Sequence, residues 1–146
     1  MCRTSRTELA ARPSAAAEGR LWVADALADS YGPVPALLDD AELIVSELIT
    51  NAVQAGSSAI ALGLDAHVGR AVISVTDDVA QLPRPRESAV GDVGGRGLAI
   101  VAELAQRWGT DPAGAGKTVW ADLRVPRDAR VAFRCDDGAT ARPVRR

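Results

Sequence analysis

The chain has 146 residues, 47% apolar, 25% charged and only 3% aromatic, with a formal net charge of −2. That length suits one domain of about 100–150 residues whose core is filled by Ala, Val and Leu, and its charge and apolar balance exclude a disordered chain. Arginines and acidic residues are interspersed, so no basic face for nucleic acid and no polybasic membrane anchor stands out. No apolar run nears the roughly 18 residues of a membrane span and the opening MCRTSRTELA has no block like a secretion signal, so a cytoplasmic protein is expected.

Residues 1–12 read as an N-terminal extension. From Ser14, SAAAEGRLWVADALADSYG sets Ala17, Leu21, Ala24, Leu27 and Ala28 at three- and four-residue steps, which predicts a first helix with Ser14 as N-cap. It ends near Gly32, where GPVP makes a turn. A second helix is predicted from about Ala36 to Ala55, with Gly56 ending it. Three alternating segments follow, SSAIALGLDAHV, AVISVTD and KTVWADLRV, of which the first two form a hairpin turning at Gly69-Arg70. Ile60, Leu62 and Leu64 share one face, Ile73, Val75 and Asp77 another, and Val119, Ala121, Leu123 and Val125 a third. Between the second and third strands lies DDVAQLPRPRESAVGDVGG, long enough to be functional and read as a lid, then a helix from about Arg96 to Trp108. Beyond Pro126 the periodicity is lost, and the segment from Arg124 onward carries seven arginines against three aspartates, a pattern read as a frayed tail over 127–146.

Cys2 and Cys135 have no CxxC spacing and are read as free thiols. His67 is the single histidine; without a GxSxG elbow it is no triad member, and it is read as a surface residue.

Four features carry chemistry. On the second helix Ile44, Val45, Leu48, Ala52 and Ala55 form an apolar stripe, and Glu47 and Asn51 stand one turn apart beside it. They are either an edge pair bonded to a loop or a binding pair. Asp77 ends its strand on the buried face, where a carboxylate needs donors; it either caps a turn with Asp78 or accepts from a ligand amine. GGRGLAIV, Gly94 to Val101, puts glycines and free backbone N–H groups at a helix start, which suits phosphate but matches neither a P-loop nor a dinucleotide fingerprint. GAGKTVWADL places Gly114 and Gly116 before a strand, with the Thr118 hydroxyl near its start; a hairpin entrance accounts for those glycines equally well.

In this order SELITNAV, GGRGLAIV and GKTVWADL resemble the histidine-kinase-like ATPase domain shared by gyrase, heat-shock chaperones, histidine kinases and mismatch-repair ATPases, and look most like the actinobacterial single-domain anti-sigma-factor serine/threonine kinases. The resemblance runs from about Pro13 to Val125. It implies an α+β fold, a two-layer α/β sandwich whose mixed, mostly antiparallel sheet is covered on one face by helices, with ATP and Mg²⁺ between helices and lid. By the same resemblance Asn51 would bind Mg²⁺, Glu47 would polarise the attacking group, and Asp77 would accept the adenine amine with support from Thr118. Gly95, Arg96, Gly97 and Leu98 would lie along the phosphates.

Two points depart from the family pattern. Relatives commonly carry DxGxG after the second strand, where this chain has Asp77-Asp78-Val79-Ala80-Gln81, and Gln54 stands where a basic residue or histidine is common. The resemblance implies transfer of the ATP γ-phosphoryl group to a serine or threonine of an antagonist partner. The alternative is a catalytically weak module that sequesters a sigma factor or antagonist when nucleotide is bound. Relatives of this kind often dimerise, so a homodimer is an expected assembly.

Overall fold

Among the described residues three helices cover one face of a five-stranded sheet, and the side chains between the two layers form the core. The computed structural model describes residues 3–79 and 93–133, with backbone alone for 93–97. In chain order the elements are β1 (Arg3–Ala10), α1 (Ala15–Tyr31), α2 (Pro35–Gln54), β2 (Ala59–His67), β3 (Arg70–Asp77), α3 (Val93–Leu104), β4 (Arg107–Ala113) and β5 (Gly116–Arg124). The strand order is β1-β2-β3-β5-β4 and every pairing is antiparallel. The two-layer α/β sandwich is therefore as expected, while the sheet, among the described residues, is wholly antiparallel instead of mixed.

The second helix forms for the reasons its sequence suggests. Pro35 sits at its first turn, where a missing N–H costs nothing. Ile44, Val45, Leu48, Ile49 and Ala52 are buried, and Ala55, just past the last helical residue, is exposed. Gly56 takes φ +90, and the N–H groups of Gly56 and Ser57 donate to the carbonyls of Val53 and Ala52, closing the helix end with its otherwise orphaned acceptors satisfied.

The first helix buries a different face from the expected one. Ala15, Gly19, Val23, Ala26, Leu27, Ser30 and Tyr31 are inside, whereas Leu21 is 71% exposed. A Cβ on Gly19 would stand 2.2 Å from Ile49 Cδ1 and 3.0 Å from Val45 Cγ1, so α1 and α2 approach at a glycine, a face made of small residues that apolar counting overlooks. Ser14 occupies the N-cap position but makes no side-chain cap bond. At the far end of α1 the buried Tyr31 hydroxyl accepts from the His67 N–H at 2.9 Å and faces the carbonyls of His67 and Arg70 at 2.8 and 3.0 Å. It thereby fastens α1 to the β2–β3 hairpin, whose Val68-Gly69 turn uses φ +82 at Gly69. Burial pushes the Tyr31 phenol up from its ordinary pKa.

Both edge strands were unexpected. Residues 3–10, read as an extension, pair with residues 59–66 of β2, and Thr4 and Arg6 both bond the Asp65 carboxylate. Arg107–Ala113, whose first two residues were read as helix, is β4. Its Pro112 is tolerated because, among the described residues, β4 pairs on one side only, with β5. The described part of the tail also differs from a frayed end: Ala129, Val131 and Phe133 pack against the core, the Ala132 N–H donates to the Ser30 carbonyl at 2.9 Å, and the Phe133 ring meets Tyr31 edge-on at 5.7 Å. His67, read as a surface residue, is buried, and its imidazole pKa is lowered first by that burial and then by Arg70.

Candidate functional site

Residues directly opposite in antiparallel strands point to the same face. Ile60 pairs with Asp77, and Asp77 with Lys117, so these three form the last row of the sheet's core face, beyond the rows of Leu62, Val75 and Val119. Asp77 and Lys117 are 7% and 5% exposed. The Lys117 ammonium donates to Asp77 Oδ2 at 2.8 Å and to the Val79 carbonyl at 3.2 Å, while the Val79 N–H donates to Asp77 Oδ1 at 3.0 Å. Asp77 is thus a turn-forming aspartate and one half of a buried ion pair at once, and Val79, where relatives commonly have glycine, contributes its backbone.

The approach of β5 to this row depends on Gly116. A Cβ there would lie 1.8 Å from the Asp77 carbonyl oxygen and 2.7 Å from Asp78 Cα. Only a residue without a side chain lets the start of β5 pass the Asp77-Asp78 peptide, so this glycine has a role beyond the hairpin turn, which Gly114 serves with φ +55.

Asp78 turns the other way and binds the start of β2. Its carboxylate accepts from the Ser58 hydroxyl and from the Ser58 N–H, and those two bonds, the hydroxyl's first, hold its pKa below the usual carboxylate range. This contact ties the end of β3 to the link that leaves α2 at Gly56. Asn51, one turn before the end of α2, is carried to the same end of the molecule, with Glu47 one turn, about 5.4 Å, further back. Both are half-buried, and neither makes a side-chain hydrogen bond or ion pair with another described residue. Burial holds the Glu47 carboxyl above its ordinary pKa.

The third helix arrives at that end too. Its C-terminus continues through Ala105 and Gln106 into β4 at Arg107, and the Gln106 N–H donates to the Asp122 carbonyl; Arg107 pairs with Asp122 at the opposite end of the sheet from Lys117. The N-terminus of α3 therefore points toward the Asp77 row. Gly95, Arg96 and Gly97 are in its first turns, since the helix begins at Val93, and Leu98 is buried. Of the segment read as a lid, residues 77–95, the stretch 80–92 lies outside the described residues, as do Cys2 and Cys135.

One expected residue is not in this site. Thr118 pairs with Thr76, and their hydroxyls are 2.7 Å apart, on the sheet face away from the helices. Alternation already implied it: if Val119, Ala121 and Leu123 face the core, then residue 117 does and residue 118 does not. The same parity would have found Lys117. A concavity of about 320 Å³ lined by Arg107, Trp108, Gly109 and Trp120 opens toward the other end of β4, and none of Glu47, Asn51, Asp77 and Lys117 lines it.

The donor chemistry suits a hard cation that keeps most of its ligands from elsewhere. Among the described residues no three His, Cys, Asp or Glu side chains gather at one point, whereas an unspent amide oxygen and carboxylate stand one turn apart on α2, oxygen donors of the type a hard cation takes.

Residues 9–123 match the family model of the histidine kinase-like ATPase domain, and the chain belongs to that family. Among solved structures it is similar to the RsbU and RsbW domains of Rv1364c from Mycobacterium tuberculosis, at 22% identity and a TM-score of 0.65 over 88% of this chain. This chain spans about a third of that protein, 34% of its length, and at such identity the likeness speaks for the fold. A blue-light activated histidine kinase, EL346 of Erythrobacter litoralis, is matched at 24% identity and a TM-score of 0.43, over 59% of this chain and 30% of that one. No curated protein matches. Among the described residues no helix is long and apolar enough to cross a membrane.

Proposed function

We propose that the protein is an ATP-binding regulator that transfers the γ-phosphoryl group to a serine or threonine hydroxyl of an antagonist partner in the cytoplasm. What supports this reading, in a chain of this family, is a buried Asp77 with lone pairs to spare in the last core row of the sheet, together with half-buried Asn51 and Glu47 side chains that have no partner among the described residues.

In this reading Asp77 accepts from the base amine. Asn51 is the protein ligand of Mg²⁺, which when bound neutralises charge on the phosphates. The backbone N–H groups of the first residues of α3, Val93 to Gly95, lack an acceptor within the helix and face the phosphate oxygens, where the helix dipole favours negative charge, while those of Gly97 and Leu98 are spent within the helix. Glu47 orients the attacking hydroxyl and takes its proton on a carboxylate oxygen as the new O–P bond forms and the β–γ bridging bond breaks, releasing ADP. A carboxyl held above its ordinary pKa by burial is a better proton acceptor than an exposed one.

A second reading is favoured by the Asp77–Lys117 contact, because a carboxylate already paired with a cation binds a base amine less readily. There the protein is a weakly catalytic module that sequesters a sigma factor or antagonist when nucleotide is bound. Glu47→Gln separates the two: it abolishes transfer in the first and leaves partner binding intact in both.

Titration with ATP, with and without Mg²⁺, tests the common core. At about a hundred times its dissociation constant the nucleotide adds about 2.7 kcal/mol of stability. Asn51→Ala is expected to lose the Mg²⁺ dependence, and Asp77→Asn to weaken binding with or without metal. Absence of any shift in the wild type ends the proposal.

A further inference from the structure

Lys117 is not accounted for by the reading above. A long cationic side chain is buried in the last row of the core face, directly beside the residue assigned to the base. Its ammonium has three hydrogens; two are spent on Asp77 Oδ2 and the Val79 carbonyl, and the third has no acceptor among the described residues. Asp77 accepts one bond on each oxygen, which leaves about half of a carboxylate's lone-pair capacity open. The two side chains together offer a donor and an acceptor side by side, on a strand pair whose spacing Gly116 makes close.

We propose that Lys117 is a second base-reading residue, which donates to a ring acceptor while Asp77 accepts from the neighbouring N–H. The proposal rests on the nucleotide-site reading. On adenine the pair would engage ring N1 and the exocyclic amine. On guanine in the same pose the order is reversed, with O6 against the Asp77 carboxylate and N1–H against the Lys117 ammonium, so the pair selects adenine and not any base with an amine. GTP is then expected to bind more weakly than ATP by roughly tenfold or more, because both contacts to the pair are mismatched.

The test uses the whole chain with Mg²⁺ and four ligands: ATP, GTP, 1-deaza-ATP and inorganic triphosphate. In 1-deaza-ATP a C–H replaces N1 while the amine stays, so only the bond from Lys117 is lost. The wild type is expected to bind it roughly tenfold to a hundredfold more weakly than ATP, the range of one hydrogen bond to a charged group. Lys117→Met should bind ATP and 1-deaza-ATP equally. If that variant fails to fold because Asp77 is left buried without its cation, the double variant Asp77→Asn/Lys117→Met removes both charges and should likewise show no deaza penalty. ATP binding with no deaza penalty in the wild type overturns the inference and leaves the nucleotide site standing. Triphosphate binding as tightly as ATP, or no binding of any ligand, overturns the base-site reading and the inference with it.

Discussion

Gly116→Ala is the sharpest test of how the Asp77 row is built. The added methyl would meet the Asp77 carbonyl oxygen at 1.8 Å, the carbonyl carbon at 2.6 Å and Asp78 Cα at 2.7 Å. All three are backbone atoms, so no rotamer change relieves the contact, and β5 must move off β3 at the position where Lys117 meets Asp77. Overpacking in a well-filled region costs about 1–3 kcal/mol, and a backbone collision belongs at the upper end, about 3 kcal/mol. For a domain of this size that is a fall of about 6–12 °C in Tm. Gly63→Ala is the matched comparison, another in-strand glycine of the same sheet. There the methyl would meet Ser74 Oγ and the Arg6 guanidinium, and the Arg6 side chain is 51% exposed and free to swing. Relief by side-chain motion, with the gain from removing a strand glycine, should keep Gly63→Ala within about 1 kcal/mol of the wild type. Melting followed by circular dichroism compares the two. If Gly116→Ala melts within about 2 °C of the wild type, or Gly63→Ala falls as far, the close approach of β5 to the Asp77-Asp78 peptide is not what holds this end of the sheet.

Two further outcomes are expected. Tyr31→Phe keeps the ring against Phe133 but strips the buried hairpin groups of their hydroxyl partner, and should cost about 1–3 kcal/mol in urea unfolding without altering nucleotide affinity; an unchanged midpoint would dismiss the fastening role. For Glu47 the folded pKa is raised above the unfolded value, so between the two the folded state holds more protons and its stability falls as pH rises through that interval. Glu47→Gln should therefore be more stable than the wild type at neutral pH, with the advantage vanishing below the unfolded carboxylate's pKa of about 4.3; a pH series of melts in which the difference grows toward acid contradicts the burial of Glu47.

Much of this was legible in the sequence because it is local. The 3.6-residue spacing of Ile44, Val45, Leu48 and Ala52, the stop at Gly56 and the turn at Gly69 depend on nearest neighbours along the chain. The core faces of β2, β3 and β5 follow from alternation alone. Glu47, Asn51 and Asp77 were found as polar residues on or beside apolar faces.

What composition could not reveal was decided by partners distant in sequence. β1 and β4 are edge strands held largely by backbone hydrogen bonds to one neighbour, and such bonds leave little trace in side-chain type. The inward face of α1 is marked by Gly19, whose value appears only when α2 lies across it. Thr118 drew attention as a hydroxyl near a motif, yet register with Thr76 sends it outward and brings Lys117 onto Asp77. Sequence by itself determined which segments are helices and inner strands and which face of each is apolar, because those are properties of spacing. Tertiary structure alone decided which residues meet across strands, since register and close backbone approach are set by the packing of the whole sheet, and so it was the fold that gave Asp77 its cation.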